Sequence, residues 1–176
     1  MLKHLSFRHG GINVPAADGR LLYDLILENG YKKGLEIGTS NGYSTLWIGL
    51  AFKKTGGHVI TLEIDEDRGI EARENFKKAG LDNIIEGRIG DALKEIPKID
   101  EEFDFVFIDA WKPDYKKYLD LVYPKLKKGG MITAHNVTGQ GRQMSDFLDA
   151  INNDPNLETR IDHSSRSGIS ISIKKN

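Results

Sequence analysis

The stretch Gly34-Leu35-Glu36-Ile37-Gly38-Thr39-Ser40-Asn41-Gly42-Tyr43-Ser44-Thr45 decides how the rest of the chain is read. Residues 34–37 form a short apolar run of the length of a buried strand. Glycines at 38 and 42 break it into a loop, and a helical pattern then starts at Tyr43 and carries Leu46, Trp47, Leu50 and Ala51. Strand, glycine loop and helix together bring a ligand against bare backbone N–H groups and a helix N-terminus. The dinucleotide fingerprint needs G-x-G-x-x-G, but position 40 is serine and the two glycines stand four apart. Glu36 lies on the strand just before the loop. An acid there suits a ligand with a cation near the loop better than a pyrophosphate. The competing reading is an ordinary turn that uses glycine only for its positive φ.

Working outward, residues 1–15 read as an irregular lead-in ending at Pro15. Leu21, Leu22, Leu25 and Ile26 then space a helix over 16–28, which Asn29-Gly30 stops. Residues 58–63 (H-V-I-T-L-E) are a β-branched strand. Asp65 is placed to cap an amphipathic helix whose apolar face carries Ile70, Ala72, Phe76 and Ala79, closed by Gly80. A third strand spans 83–89, followed by Gly90-Asp91-Ala92 and a short helix to 96. Residues 103–108 (F-D-F-V-F-I) are the most apolar strand and therefore central. Pro113 opens a helix that Tyr115, Leu119, Val122 and Leu126 continue to 128. Gly129-Gly130 turn the chain into a strand over 131–135, and a helix with Met144, Phe147, Leu148 and Ile151 follows. The last strands span 158–162 and 168–174. Alternation of strand and helix argues a doubly wound, mainly parallel sheet. The final two strands have no helix between them and should pair as an antiparallel hairpin on one edge. No repeat or linker divides residues 1–176, so one domain is expected.

Composition narrows the function classes. Lys plus Arg is 25 and Asp plus Glu 26, a formal net charge of -1. That lacks the broad basic field of a protein gripping a nucleic-acid backbone, so a nucleic-acid partner is not expected. Cysteine is absent, which excludes disulfides, thiolate zinc sites and a Cys nucleophile and fits a reducing compartment. No apolar run approaches the ~20 residues needed to cross a membrane. Residues 1–11 lack the apolar core of a signal peptide. A cytoplasmic protein without a membrane partner is the expectation.

In open α/β sheets ligands sit at the carboxyl ends of the strands, and polar residues collect at those ends here. Glu63 lies about twenty residues past the glycine loop, where an acid accepts both hydroxyls of a ribose. Asp91 either accepts from an adenine amine or caps the short helix after it. Asp109, His135 and Asn136 meet if strands four and five are neighbours. A carboxylate, an imidazole and an amide oxygen together can hold a divalent cation. Lys112, three residues past Asp109, reaches the same point, and a lysine beside a cation can serve as a general base on a hydroxyl. Against this stands a surface lysine before a helix and a hydrogen-bonded core histidine. His4, His9, His58 and His163 show no ligand spacing.

Taken together these residues resemble the class I S-adenosylmethionine-dependent methyltransferases, and more narrowly the metal-dependent small-molecule O-methyltransferases such as the catechol and caffeoyl-CoA enzymes. The resemblance runs from about Pro15 to Lys174. Ala17-Asp18-Gly19-Arg20-Leu21-Leu22 looks like the family's first helix. The segment from Leu35 to Thr45 is similar to its cofactor loop, and this is the most specific match. The resemblance implies cofactor contacts from Glu36, Gly38, Thr39 and Ser40, and from Gly42, Tyr43 and Ser44. Thr61-Leu62-Glu63-Ile64-Asp65 resembles the ribose segment, with Glu63 and Ile64, and Gly90-Asp91-Ala92 the adenine side, with Asp91 and Ala92. Ile108-Asp109-Ala110-Trp111-Lys112-Pro113-Asp114-Tyr115 looks like the metal and catalytic-lysine segment. It implies Asp109 as metal ligand and cofactor neighbour, Lys112 as base and Trp111 as a pocket wall. The implied fold is a Rossmann-like seven-stranded sheet whose last strand is antiparallel. The implied activity is methyl transfer from S-adenosylmethionine to a hydroxyl of a small-molecule acceptor.

Two departures qualify the resemblance. The family usually has Asp-Asn where this chain has His135-Asn136. Imidazole for carboxylate removes a negative charge from a hard-cation site, so Mg²⁺ and Ca²⁺ affinity should fall, while imidazole suits Zn, Fe, Ni or Mn to varying degrees; Mg²⁺, Mn²⁺ and Zn²⁺ are the candidate ions. A kept, exchanged or lost metal all stay open. Relatives also carry helices before the first helix that cover the substrate and take part in dimer formation. Here about fifteen residues precede it, so the acceptor pocket is expected to be more open, or completed by a partner chain in a homodimer. Two readings from other classes remain: a cofactor-binding module without catalysis, and a nucleotide-binding α/β protein.

Overall fold

The computed structural model describes residues 13–175, so most of the lead-in, with His4 and His9, lies outside the described residues. Pro15 precedes helix α1 (Ala16–Asn29), which ends at Gly30. Strand β1 (Lys33–Ile37), helix α2 (Tyr43–Thr55), β2 (His58–Glu63), α3 (Glu66–Lys78) and β3 (Ile85–Ile89) follow. The chain then continues through α4 (Ala92–Glu95), β4 (Phe103–Ile108), α5 (Tyr115–Val122), β5 (Leu126–His135), α6 (Ser145–Asn153), β6 (Leu157–Asp162) and β7 (Ile169–Lys174). The seven strands form one sheet in the order β3-β2-β1-β4-β5-β7-β6. All neighbours are parallel except β7, which runs antiparallel to both β5 and β6. The expected hairpin is present, with β7 inserted beside β5 and β6 left at the edge.

Strand alternation sorts the core into two layers. Leu35, Ile37, Val106, Ile108, Ile132 and Ala134 face the layer of α4, α5 and α6, packing with Ile96, Leu119, Val122 and Phe147. Val59, Phe105, Phe107, Met131 and Ile171 face α1, α2 and α3, packing with Leu22, Ile26, Phe52, Ala72 and Phe76. The order reverses between β1 and β4. At that crevice Gly38 meets the Asp109 backbone: a Cβ on Gly38 would lie 2.2 Å from the Asp109 carbonyl oxygen.

Three expectations shift. The helix expected to reach 128 ends at Val122, and Tyr123–Lys125 form a single 3-10 turn. Pro124 has no N–H to continue the helix and restricts the residue before it. Leu126 opens β5 instead, paired with Phe103. The next pair is Phe105 with Met131, so residues 127–130 bulge out between the two pairings, with Gly129 at φ 76. Ile70, expected in the core, is 45% exposed, because Gly69 occupies the close approach of α3 to Ile89.

Candidate active site

The glycine loop is folded back on β2. The Gly38 and Thr39 amides donate to the Leu62 carbonyl at 2.9 and 3.2 Å, and the Gly42 amide donates to the Thr39 carbonyl at 2.9 Å. Ser40, at φ 50, donates its amide to Glu63 Oε2 at 2.6 Å. The Tyr43 amide donates to Asn41 Oδ1. The amides expected to stand bare are therefore partnered by the protein itself. That removes the anion cradle a phosphate loop needs and gives a physical account of the missing third glycine. The loop contributes shape in its place.

Glu36 stands beneath this loop. It is fully buried and accepts from Ser44 Oγ at 2.6 Å, from Thr61 Oγ1 at 2.5 Å and from Thr45 Oγ1. Burial pushes its pKa up to about 7 against those three hydroxyls. β1, β2 and the first turn of α2 are stapled through this one carboxyl. Among the residues expected at the cofactor, Glu36 and Gly42 line neither of the cavities described next; Gly42 packs on Phe76.

Two cavities of about 480 and 540 Å³ meet at the carboxyl ends of the strands and share Gly38, Ser40, Arg68 and Asp109 in their walls. The first is also walled by Glu63, Ile64, Asp91, Ala92 and Trp111, all expected, together with Leu93 and Tyr118, which were not. Ile64 and Trp111 are 73% and 67% exposed, large apolar surfaces left at a cavity mouth. Glu63 takes the Ser40 and Asp65 amides, one on each oxygen. Asp91 accepts from the Leu93 amide at 3.0 Å and so caps α4, while also facing the cavity. Both of its expected roles are compatible with this placement.

The second cavity is walled by Thr39, Tyr43, Ser44, Lys112, His135 and Asn136, with Asn41, Gln140 and Ser167 added. Lys112 Nζ donates to Asp109 Oδ1 and to the Tyr115 hydroxyl, both at 2.9 Å, and Tyr115 in turn donates to the His135 carbonyl at 3.2 Å. Burial works against the Asp109 carboxylate, but His135 and Lys112 hold its pKa below the usual range. His135 is 4% exposed, with Nε2 2.7 Å from Oδ2 of Asp18, itself 1% exposed. Ser165 Oγ donates to the same Asp18 oxygen at 2.7 Å. On the other side His135 Nδ1 lies 3.4 Å from Asp109 Oδ2, yet is buried with no hydrogen-bond partner among the described residues. Burial opposes the imidazolium, but the carboxylates of Asp109 and Asp18 outweigh it and raise the His135 pKa.

Asp109, Lys112, His135 and Asn136 are thus brought together as expected. Asp18 and Arg68 were missed. Asp18 had a signal: with Leu22, Leu25 and Ile26 it shares one helical spacing, which puts an acid on the buried face of α1. Arg68 had none, because only the packing of α3 against the loop, through Asn75 on Asn41 and Phe76 on Gly42, brings it to the cavity walls that Ser40 also lines. Among the described residues no group of three or more His, Cys, Asp or Glu side chains is arranged to hold a metal ion. A cation at Asp109 and His135 would draw on the Asn136 wall as well.

Fold and site together define an α/β protein with a divided ligand cleft at its topological switch point. The chain belongs to the O-methyltransferase family, whose profile matches residues 3–162. It is 36% identical over 139 residues to the catechol O-methyltransferase of Niastella koreensis, across 77% of this chain and 62% of that protein. It is also 36% identical over 138 residues to the caffeoyl-CoA O-methyltransferase of Populus kitakamiensis, across 74% of this chain and 57% of that protein. The aligned part is therefore under two thirds of either relative. The Bacillus cereus O-methyltransferase, solved in complex with SAH, superposes with a TM-score of 0.87 at 30% identity, over 93% of this chain and 83% of that one.

Proposed function

We propose that this protein transfers a methyl group from S-adenosylmethionine to a hydroxyl of a small molecule. The observation that carries the reading is the pair of cavities joined at Gly38, Ser40, Arg68 and Asp109, one lined by Glu63 and Asp91, the other by Lys112. The catechol and caffeoyl-CoA relatives support it, as does the neighbour solved with SAH.

The cofactor supplies an electrophilic methyl group on a sulfonium. Glu63, whose two oxygens are oriented by the Ser40 and Asp65 amides, keeps free lone pairs for a ribose diol. Asp91 would accept from the base, and Ile64 and Trp111 would supply the apolar surface against it. Lys112 is held at the junction by Asp109 and Tyr115. There its ammonium holds the developing oxyanion, or its neutral form takes the acceptor's proton, so catalysis is chiefly positioning and electrostatics. A divalent cation also fits this corner: His135 Nδ1 is a buried donor without a partner, and it faces Asp109 Oδ2 beside Asn136. Those residues would hold such an ion, which would supply positive charge next to the acceptor oxygen. The cysteine-free composition supports a cytoplasmic setting, and no helix among the described residues is long and apolar enough to cross a membrane.

Calorimetric titration with S-adenosylhomocysteine, followed by a screen of catechols and hydroxycinnamoyl thioesters, tests the proposal. Micromolar binding and methylation of a panel member are expected. Lys112→Met should keep cofactor binding and lose about 10²–10⁴-fold in kcat. Absence of cofactor binding overturns the reading.

A further inference from the structure

His135 Nδ1 and Asn41 Nδ2 are the two buried side-chain atoms of the second cavity's walls without a hydrogen-bond partner among the described residues, and of these only the imidazole nitrogen can serve as a metal ligand. A buried polar atom without a partner calls for an ion, a water or a strained contact. On the opposite side of the ring, Nε2 is 2.7 Å from Asp18 Oδ2, and Ser165 fixes that same oxygen. Once the ring is neutral, above its raised pKa, an Nε2–H donated to Asp18 leaves Nδ1 as a lone pair. The lone pair faces a carboxylate oxygen at 3.4 Å, and no hydrogen bond joins the two. This is also the spacing of two adjacent ligands that each sit about 2.0–2.1 Å from one shared ion. A carboxylate on the far nitrogen is the usual support of a ligating histidine: it fixes the tautomer and raises the basicity of the donor atom.

We propose that Asp18 is a positioning residue that orients His135 as a nitrogen ligand, tuning this corner toward imidazole-preferring divalent ions such as Zn²⁺ or Co²⁺ and away from Mg²⁺ and Ca²⁺. The proposal rests on the methyl-transfer reading only for its location at the acceptor cavity. Magnesium and calcium want an oxygen shell and a high ligand charge. Here one carboxylate of the set, Asp109, already shares an oxygen with the Lys112 ammonium. Imidazole suits the later transition metals. Asp18 comes from α1 and Ser165 from the β6–β7 connection, so the support arises from two elements distant in sequence.

The test is metal binding on the metal-stripped full chain without methyl donor or acceptor, at pH 8 to limit proton competition for Nδ1. Co²⁺ is followed by its visible absorption, and Zn²⁺ and Mg²⁺ by calorimetry. Any nitrogen-containing site favours Zn²⁺ over Mg²⁺ to some degree, so the variants decide. Asp18→Asn should weaken Zn²⁺ and Co²⁺ binding about 10–100-fold and leave Mg²⁺ binding as weak as before. His135→Asp should shift the Co²⁺ spectrum, lower Zn²⁺ affinity and raise Mg²⁺ affinity. Zn²⁺ affinity unchanged in both variants would mark binding elsewhere, for instance at the exposed His163, and would overturn the proposal. Wild-type Mg²⁺ affinity equal to that for Zn²⁺ would overturn it too. S-adenosylhomocysteine titration of the same samples confirms folding. A wild-type chain that binds this ligand but shows no variant-sensitive metal site refutes the Asp18 role alone; one that does not bind it refutes the methyl-transfer reading.

Discussion

Single residues set the chemistry and the most local risks. Glu36 has a folded pKa of about 7 against an ordinary 4.5. Because the pKa is raised, its contribution to stability is complete below about pH 4.5 and is lost as pH rises through 7. The span is about 3 kcal/mol. Glu36→Gln keeps the shape and abolishes the titration, so urea unfolding at pH 5 and pH 8 should show the wild type losing about 2.5 kcal/mol more than the variant, the rest of the span falling below pH 5. Equal losses would mean that the Glu36 carboxyl is ionised across this range in the folded protein as in the unfolded chain. Gly38 is constrained twice, by φ 98 and by the Asp109 carbonyl lying 2.2 Å from where a Cβ would sit. Gly38→Ala should therefore cost at least about 2 kcal/mol. By pushing on the Asp109 backbone it should also weaken cofactor binding, measured by thermal unfolding and calorimetry on one preparation.

At the scale of elements, the ends of β1 and β2 and the start of α3 are tied by backbone amides donated to acidic side chains. Asp65 caps α3 by accepting from the Arg68 amide at 3.0 Å, and its own amide donates to Glu63. Asp65→Ala should cost about 1 kcal/mol through the lost cap and raise the KM for the cofactor, since Glu63 and Arg68 both line the cavity. A stability loss with KM untouched would show that the cap is independent of the site. The α5–β5 junction shows where periodicity misleads. Leu126 falls on the helical spacing of Leu119 and Val122, yet Pro124 terminates the helix and Leu126 opens a strand. Ile70 misled for the opposite reason: hydrophobicity alone placed it inside, but the close contact went to its neighbour Gly69.

At the scale of the whole molecule, the fold brings residues from seven separate segments to the walls of the two joined cavities, so ligand and fold should be thermodynamically linked. S-adenosylhomocysteine at 100 times its Kd should stabilise the protein by about 2.7 kcal/mol. For a chain of this length that corresponds to a rise in Tm of roughly 5–11 °C, read by differential scanning calorimetry. No rise at saturating ligand would contradict binding at the crevice. The sequence alone determined the alternation of strands and helices, the switch from the glycine loop to α2, and the strand ends that carry Glu63, Asp91, Asp109 and His135. These follow from local periodicity, glycine placement and side-chain type, all of which act over a few residues. Only the tertiary structure decided that Glu36 lies beneath the loop, bonded to three hydroxyls and outside the cavity walls, that the loop amides are already partnered, and that Arg68 joins the two cavities. It alone set Asp18 behind His135, 117 positions away in the chain. Contacts of that range are settled by how helices seat on the sheet, and no local pattern encodes which two buried polar side chains will share a hydrogen bond.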